Sequence, residues 1–151
     1  MPIEIRPALV SERQAIHDCV NRAYEVYVPQ MDREPAPMSD DYATLIAKGR
    51  VWVATEVDRL VGLIVMWCLT DHLYIDNIAV QPEAQGTGVG GALLAEAERV
   101  AAAASMKEIR LYTNEIMTDN AQYYQRKGYV VTHEAEQNGF RRIFFTKSLA
   151  K

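Results

Sequence analysis

One stretch leaves the chain little choice of fold: HLYIDNIAVQPEAQGTGVGGALLAEAERVAAAA, residues 72–104. A run with a strand's composition leads into a loop with glycines at 86, 88, 90 and 91, and then into an alanine-rich stretch with Leu93, Ala97, Val100 and Ala104 at helical spacing. EIRLYT follows as a second strand. Strand, helix, strand in this order predicts one crossover and hence a parallel pair. A loop without Cβ atoms lets backbone N–H groups come close to an oxygen anion. The helix N-terminus adds a favourable potential worth about 0.3–1 kcal/mol.

The other segments supply the rest of the sheet. Residues 3–6 read as a first strand ended by Pro7. Ser11 and Gln14 stand at capping-box spacing before a helix that puts Ile16, Val20, Ala23, Tyr24 and Tyr27 near one face. PQMDREPAPM, with three prolines, reads as an ordered loop, and Ser39 is expected to cap a short helix through Lys48 that Gly49 stops. RVWVATE and LVGLIVMWCL, joined by the charged turn at residues 57–59, predict an antiparallel hairpin. Thr118 or Asp119 is expected to cap a last helix through Arg126, and YVVTHE and FRRIFFTKSL flank a turn at Asn138 and Gly139. The expectation is an α/β (α+β) fold, one domain over 1–151. Its central mixed, mostly antiparallel, twisted sheet has about seven strands flanked by about four helices.

Composition narrows the functions. A chain of 151 residues can bury about two-thirds of its unfolded surface without staples. The formal charge of −4 argues against a nucleic-acid binder, which exploits a basic face. Cys19 and Cys68 form no CxxC pair and signal neither zinc nor a disulfide; both are expected to be buried and reduced. His17 and His133 lack ligand-like partners, so no metal is expected. The N-terminus lacks a basic segment before an apolar run, and the longest apolar stretch covers ten residues. No signal peptide, spanning helix or membrane association is expected, and the chain reads as cytoplasmic.

Gly86, Gly88 and Gly91 satisfy GxGxxG, and Glu115 lies downstream as a possible ribose acid. A dinucleotide fold, however, places that loop after its first strand in a repeated βαβ sheet, whereas three antiparallel strands precede it here. A phosphate loop of the Walker type needs a Lys followed by Ser or Thr after the glycines, and none is present. The plainer alternative is a tight turn that lets a helix pack closely on a sheet.

NIAVQPEAQGTGVGGALL resembles motif A of the GNAT superfamily of acyl-CoA-dependent N-acetyltransferases, with Gln85, Gly88 and Gly90 on its loop signature. NAQYYQRKGY resembles the family's motif B through Tyr123, Tyr124, Gly128 and Tyr129, and IRPA after the first strand fits the family's opening. The resemblance implies that the backbone of Gln85, Gly86, Thr87, Gly88, Val89, Gly90 and Gly91 binds the pyrophosphate of acetyl-CoA, the co-substrate. Gln85 stands where many relatives carry Arg, which leaves backbone geometry with more of the work. It implies that Ile78, Ala79 and Val80 offer main-chain groups to pantetheine and thioester, and that Tyr124 protonates the departing thiolate. A phenol, ordinarily near pKa 10, is a reasonable acid toward a thiolate near 8.5. Neighbouring helical residues point about 100° apart, so Tyr123 is expected in the core instead. Many relatives carry Asn where this chain has Met117; Asn120 is expected to contact the pantetheine arm or to cap the helix start.

The implied reaction is direct attack of a primary amine on acetyl-CoA, and the alternative is a non-catalytic acyl-CoA binder or sensor. The general base is unassigned: Asp76, His72, Tyr74 and Glu34 are candidates, each equally readable as structural. The acceptor, a small-molecule or peptide amine, is expected near Tyr24, Tyr27, Asp32, Arg33, Glu34 and Asp76. A homodimer is common among relatives and is neither required nor excluded by this sequence.

Overall fold

The computed structural model describes residues 2–30, 35–137 and 139–149. Its α-helices are α1 (Arg13–Tyr24), α2 (Tyr42–Ala47), α3 (Val89–Ala103) and α4 (Thr118–Arg126). Its strands are β1 (Glu4–Pro7), β2 (Val51–Glu56), β3 (Arg59–Cys68), β4 (His72–Val80), β5 (Glu108–Asn114), β6 (Val130–Gln137) and β7 (Phe140–Ser148). They form one seven-stranded sheet in the order β1-β2-β3-β4-β5-β7-β6. The β4/β5 pair is parallel, as the crossover requires, while β1/β2, β2/β3, β5/β7 and β6/β7 are antiparallel. This is the expected mixed α/β architecture. By packing, the chain divides into two units: residues through Met66 with Asn77–Glu96, and Trp67–Asp76 with the residues from Ala97 on.

In the first unit, the β2/β3 hairpin turns on Val57 and Asp58, both at positive φ (49° and 63°). That conformation matches the twist of the flanking strands. Leu63, Ile64, Val65 and Met66 are fully buried in succession, so β3 has no solvent face along this run. Helix α1 contributes Ile16, Cys19 and Val20 to the core. Its start departs from the expected capping box. A 3-10 turn, Val10–Glu12, precedes α1, and the Glu12 carboxylate accepts the Leu9 N–H at 2.8 Å, so Ser11 is not the cap. Hydrogen bonding to Arg6 at 2.6 Å holds the Glu12 carboxyl below the usual carboxylate range. The helix also ends early: Glu25–Gln30 winds as a 3-10 segment around Pro29, which places Tyr27 beyond α1. Asp41, not Ser39, caps α2 by accepting the Thr44 N–H at 3.2 Å, while Ala36–Ser39 forms its own 3-10 turn. Gly49 at φ 71° ends that helix as expected. Asp32, Arg33 and Glu34 lie outside the described residues, as does Asn138.

In the second unit, β5 pairs with β7 from Glu108↔Ser148 to Asn114↔Arg142. The β4/β5 ladder is shorter, running from His72↔Glu108 to Ile75↔Leu111, although β4 continues to Val80. Helix α4 has Met117 at its cap position with no side-chain cap bond, so neither Thr118 nor Asp119 serves there. Among the described residues, no helix is long and apolar enough to cross a membrane.

The cysteines differ, contrary to expectation. Cys19 is fully buried and burial pushes its thiol up to about 12, whereas Cys68 at the end of β3 is exposed. Thiolate is the reactive form, so one equivalent of a disulfide reagent is expected to react with native protein at neutral pH. Cys68→Ser should abolish that reaction, and Cys19 should react only in denaturant. Two reactive thiols in the native protein would contradict the burial of α1.

Candidate active site

The first unit holds the glycine loop and the end of β4. The Gln81 N–H donates to the Val61 carbonyl at 2.9 Å, fixing the loop entrance against β3. A 3-10 turn, Pro82–Ala84, follows, and the Gln85 amide side chain donates back to the Val80 carbonyl at 3.3 Å. Glu83 is clasped by Arg22 of α1 at 3.0 Å and by Arg59 of the β2/β3 hairpin. These are exposed pairs, screened by solvent, which orient the loop more than they stabilise it. Gln85 to Gly88 are exposed.

Gly86 and Gly88 sit at φ 81° and 98°, where glycine is adopted without strain. The first bond of the helix is Ala92 N–H to the Gly88 carbonyl at 3.0 Å. The amides of Val89, Gly90 and Gly91 therefore precede the helical ladder, in the position from which helices bind anions. The arrangement is a short arc of backbone donors on an exposed loop.

Gly62 brings this arc onto the sheet. A Cβ there would stand 2.9 Å from Val89 Cγ1, 3.0 Å from the Ala79 carbonyl oxygen and 3.3 Å from Leu93 Cδ1. Absence of a side chain on β3 thus lets the first turn of α3 and the backbone of β4 close on one point. Gly62→Ala is expected to cost about 1–3 kcal/mol by overpacking, seen as a fall of about 3–10 °C in Tm. An unchanged Tm would mean that the helix start is not seated on β3.

Beneath the end of β4 runs a polar chain. The Tyr24 hydroxyl donates to Asn77 Oδ1 at 2.6 Å, Asn77 Nδ2 donates to the Tyr42 hydroxyl at 3.2 Å, and that hydroxyl donates to the Pro37 carbonyl at 2.6 Å. Asn77 is only 4% exposed, and its bonds tie β4 to α1, α2 and the 3-10 turn before α2. Buried polar groups are kept only when satisfied, so this chain fixes the segment preceding Ile78. Ile78, Ala79 and Val80 follow with alternating burial, Ala79 inward. Tyr27 is half-buried in the 3-10 segment after α1.

The second unit carries the other expected site residues. Tyr124 on α4 is 8% exposed, its ring 5.7 Å from Tyr123, 5.9 Å from Tyr129 and 5.9 Å from Phe145. Tyr123, expected in the core, is half-buried instead: α4 turns its neighbour inward. Asn120 lies one helical turn before Tyr124 and its Nδ2 donates to Met117 Sδ at 3.7 Å, so its side chain does not cap the helix. Burial is the main cause that raises the Tyr74 phenol well above its ordinary range, which suits a hydrogen-bond donor and not a base at neutral pH. His72 Nδ1 stands 2.9 Å from Asp71 Oδ1. Asp76 is half-buried at the end of the part of β4 that belongs to this unit.

An aromatic row crosses this part of the sheet: Trp67 to Tyr74 at 5.3 Å, Tyr74 to Tyr112 at 6.3 Å, Tyr112 to Phe144 at 5.9 Å. The guanidinium of Arg142 lies on it, 4.1 Å from the Tyr112 ring centre.

The structure thus brings Ile78–Val80, the glycine loop and Tyr27 into the first unit, and Asp76, Asn120 and Tyr124 into the second. Sequence reasoning passed over Gly62, Asn77, Glu83 and Arg142. An isolated glycine inside a strand pattern is a recognised sign of close backbone approach, so Gly62 was readable. The other three occupy positions that show nothing until strands and helices are packed.

A family model described as an acetyltransferase (GNAT) domain matches residues 47–131. No curated protein matches the chain in sequence. Among solved structures, the chain is similar to the PaiA N-acetyltransferase from Thermoplasma acidophilum in complex with coenzyme A: TM-score 0.84, 17% identity, covering 98% of this chain and 99% of that one. It is also similar to a GNAT family acetyltransferase from Elizabethkingia anophelis with acetyl-CoA bound, with TM-score 0.74, 21% identity and coverage of 97% and 98%. A third likeness is the ribosomal-protein-S18-alanine N-acetyltransferase from Escherichia coli, with TM-score 0.79, 14% identity and coverage of 99% and 96%.

Proposed function

The chain belongs to the GNAT acetyltransferase family, and on that premise we propose that it transfers an acetyl group from acetyl-CoA to a primary amine by direct attack. The observation that carries this reading is the glycine arc. Two glycines at positive φ and three amides ahead of the first helical bond form a concave set of donors suited to a pyrophosphate. The coenzyme A and acetyl-CoA held by two structural relatives support the same ligand here.

The chain's own groups divide the work. Backbone N–H groups of the Gln85–Gly91 loop hold the pyrophosphate, with Val89, Gly90 and Gly91 foremost, since the Gln85 and Thr87 N–H groups also donate to the Pro82 and Ala84 carbonyls at 3.3 Å. Main-chain groups of Ile78–Val80 orient the thioester, and one N–H aimed at the developing oxyanion is worth about 3 kcal/mol in comparable acyl-transfer sites. The β4/β5 ladder stopping at Ile75↔Leu111, upstream of Ile78, supports that assignment. The Tyr124 hydroxyl gives its proton to the departing thiolate, and Asn120, on the same side of α4, contacts the pantetheine arm. Tyr27 and Asp76 are assigned to the acceptor; Glu34, the third residue so assigned, lies outside the described residues.

Two measurements test this. Calorimetry should find coenzyme A bound in preference to a nicotinamide dinucleotide; the reverse preference overturns the reading. Mass spectrometry of a reaction with mixed amines should find an N-acetylated product. Coenzyme A binding without any acetylated amine would instead favour the acyl-CoA sensor.

A further inference from the structure

Arg142 is 7% exposed, and a guanidinium so deeply buried normally meets a carboxylate. Among the described residues, the guanidinium donates from Nη1 to Gln137 Oε1 at 3.0 Å and forms no ion pair. Its faces are occupied: Tyr112 lies 4.1 Å and Phe140 5.6 Å from the guanidinium carbon. Ring faces satisfy the charge in part, but they accept none of the in-plane N–H donors. A planar cation over a ring, whose edge carries further N–H donors besides the one that meets Gln137, suits a planar anion approaching along that edge.

The location fits a ligand. Arg142 is paired with Asn114 in the β5/β7 ladder, which puts it at the carboxyl end of β5. Asp76 stands just past the last pair joining β5 to its parallel neighbour β4, Ile75↔Leu111. Ligands of open α/β sheets bind at the carboxyl ends of parallel strands. After burial and Tyr112, the charges that act on the Tyr74 phenol of β4 are Asp76, which raises it, and Arg142, which lowers it. A carboxylate and a guanidinium thus flank one aromatic floor.

We propose that the acceptor amine also carries a carboxylate, as an amino acid does, and that Arg142 recognises it through a bidentate ion pair while Asp76 faces the ammonium end. This rests on the acetyl-transfer reading. In the reaction the ammonium first gives one proton to solvent; the neutral amine nitrogen then forms the amide bond as the C–S bond breaks, losing a second proton while the thiolate gains one. The carboxylate is unchanged and serves only recognition. Arg142 is therefore a specificity residue that touches the acceptor away from the reacting atoms.

The test compares the common L-amino acids with their α-carboxamides as acceptors, using wild-type protein, Arg142→Gln and Arg142→Lys. In the wild type, the amide should lower kcat/KM by about 100-fold or more relative to the acid. Arg142→Gln should bring acid and amide within about 3-fold by losing the acid; Arg142→Lys should keep part of the preference. Equal use of acid and amide by the wild type overturns the proposal while leaving acetyl transfer standing, and needs no variant to fold. So does an undiminished preference in Arg142→Gln. If no amine is acetylated, calorimetric titration of the acids with and without coenzyme A decides: binding lost in Arg142→Gln upholds the anion site, and absent binding overturns it. Failure to bind coenzyme A would instead count against the acetyl-transfer reading alone.

Discussion

Phe in place of Tyr124 is expected to lower kcat by about 10- to 1,000-fold while changing KM for acetyl-CoA little. The expectation follows from what the substitution removes. The Tyr124 ring packs among Tyr123, Tyr129 and Phe145, all contacts that Phe retains. Only the hydroxyl goes, so Tm should move by no more than about 4 °C, equivalent to about 1 kcal/mol at this size. A ring that merely anchors α4 would predict the same small change in Tm and an unchanged kcat. Tyr129 provides the control: among the described residues its buried hydroxyl has no hydrogen-bond partner. Tyr129→Phe is therefore expected to be neutral or stabilising and to leave kcat alone. Equal kinetic losses in both variants would point to general disturbance of α4 and remove Tyr124 from its assigned role.

Gly88→Val is expected to raise KM for acetyl-CoA by about 5- to 150-fold, with kcat less affected. A Cβ at Gly88 meets nothing within 4 Å, so no clash inside the chain is involved. The cause is φ 98°, which a β-branched residue reaches only at a cost of about 1–3 kcal/mol. The loop would relax that strain by turning its amides away from the pyrophosphate. Gly88→Asn tolerates positive φ better and should show a smaller rise. An unchanged KM in the valine variant would detach the loop from cofactor binding.

Both predictions come from segments whose sequence was legible for physical reasons. The hairpin, the crossover and the two closing strands were readable because β-branched and aromatic runs alternate with unambiguous turn residues, and because a strand, helix, strand succession admits one handedness. The helix starts were less legible. Ser11, Ser39, Thr118 and Asp119 are all capable caps, and a capping motif does not reveal which of several adjacent polar residues meets the free N–H. Glu12 took that role by accepting the Leu9 N–H, and Asp41 by accepting that of Thr44. Periodicity puts Tyr27 near the α1 face, but the chain tightens into a 3-10 segment containing Pro29 from Glu25 on.

Within the candidate site, the glycine loop announced itself because absence of Cβ is written in the letters. Gly62 carried the same information in one residue inside an apolar strand, where attention goes to the hydrophobic pattern. Asn77 and Arg142 read in sequence as polar members of alternating strands, a pattern that normally means solvent-facing. Only the packing of α1 and α2 on β4 buries Asn77, and only the β5/β7 register puts Arg142 over Tyr112. These are long-range facts: Tyr42 and Asn77 alone stand 35 positions apart.

The central claim is tested most directly by the release of free thiol from acetyl-CoA, followed with and without added primary amines. The account predicts slow release by the protein alone and a saturable acceleration with at least one amine. Each thiol should be matched by one N-acetyl group in the product. Thiol release that no amine accelerates, from a protein that still binds coenzyme A, would contradict it.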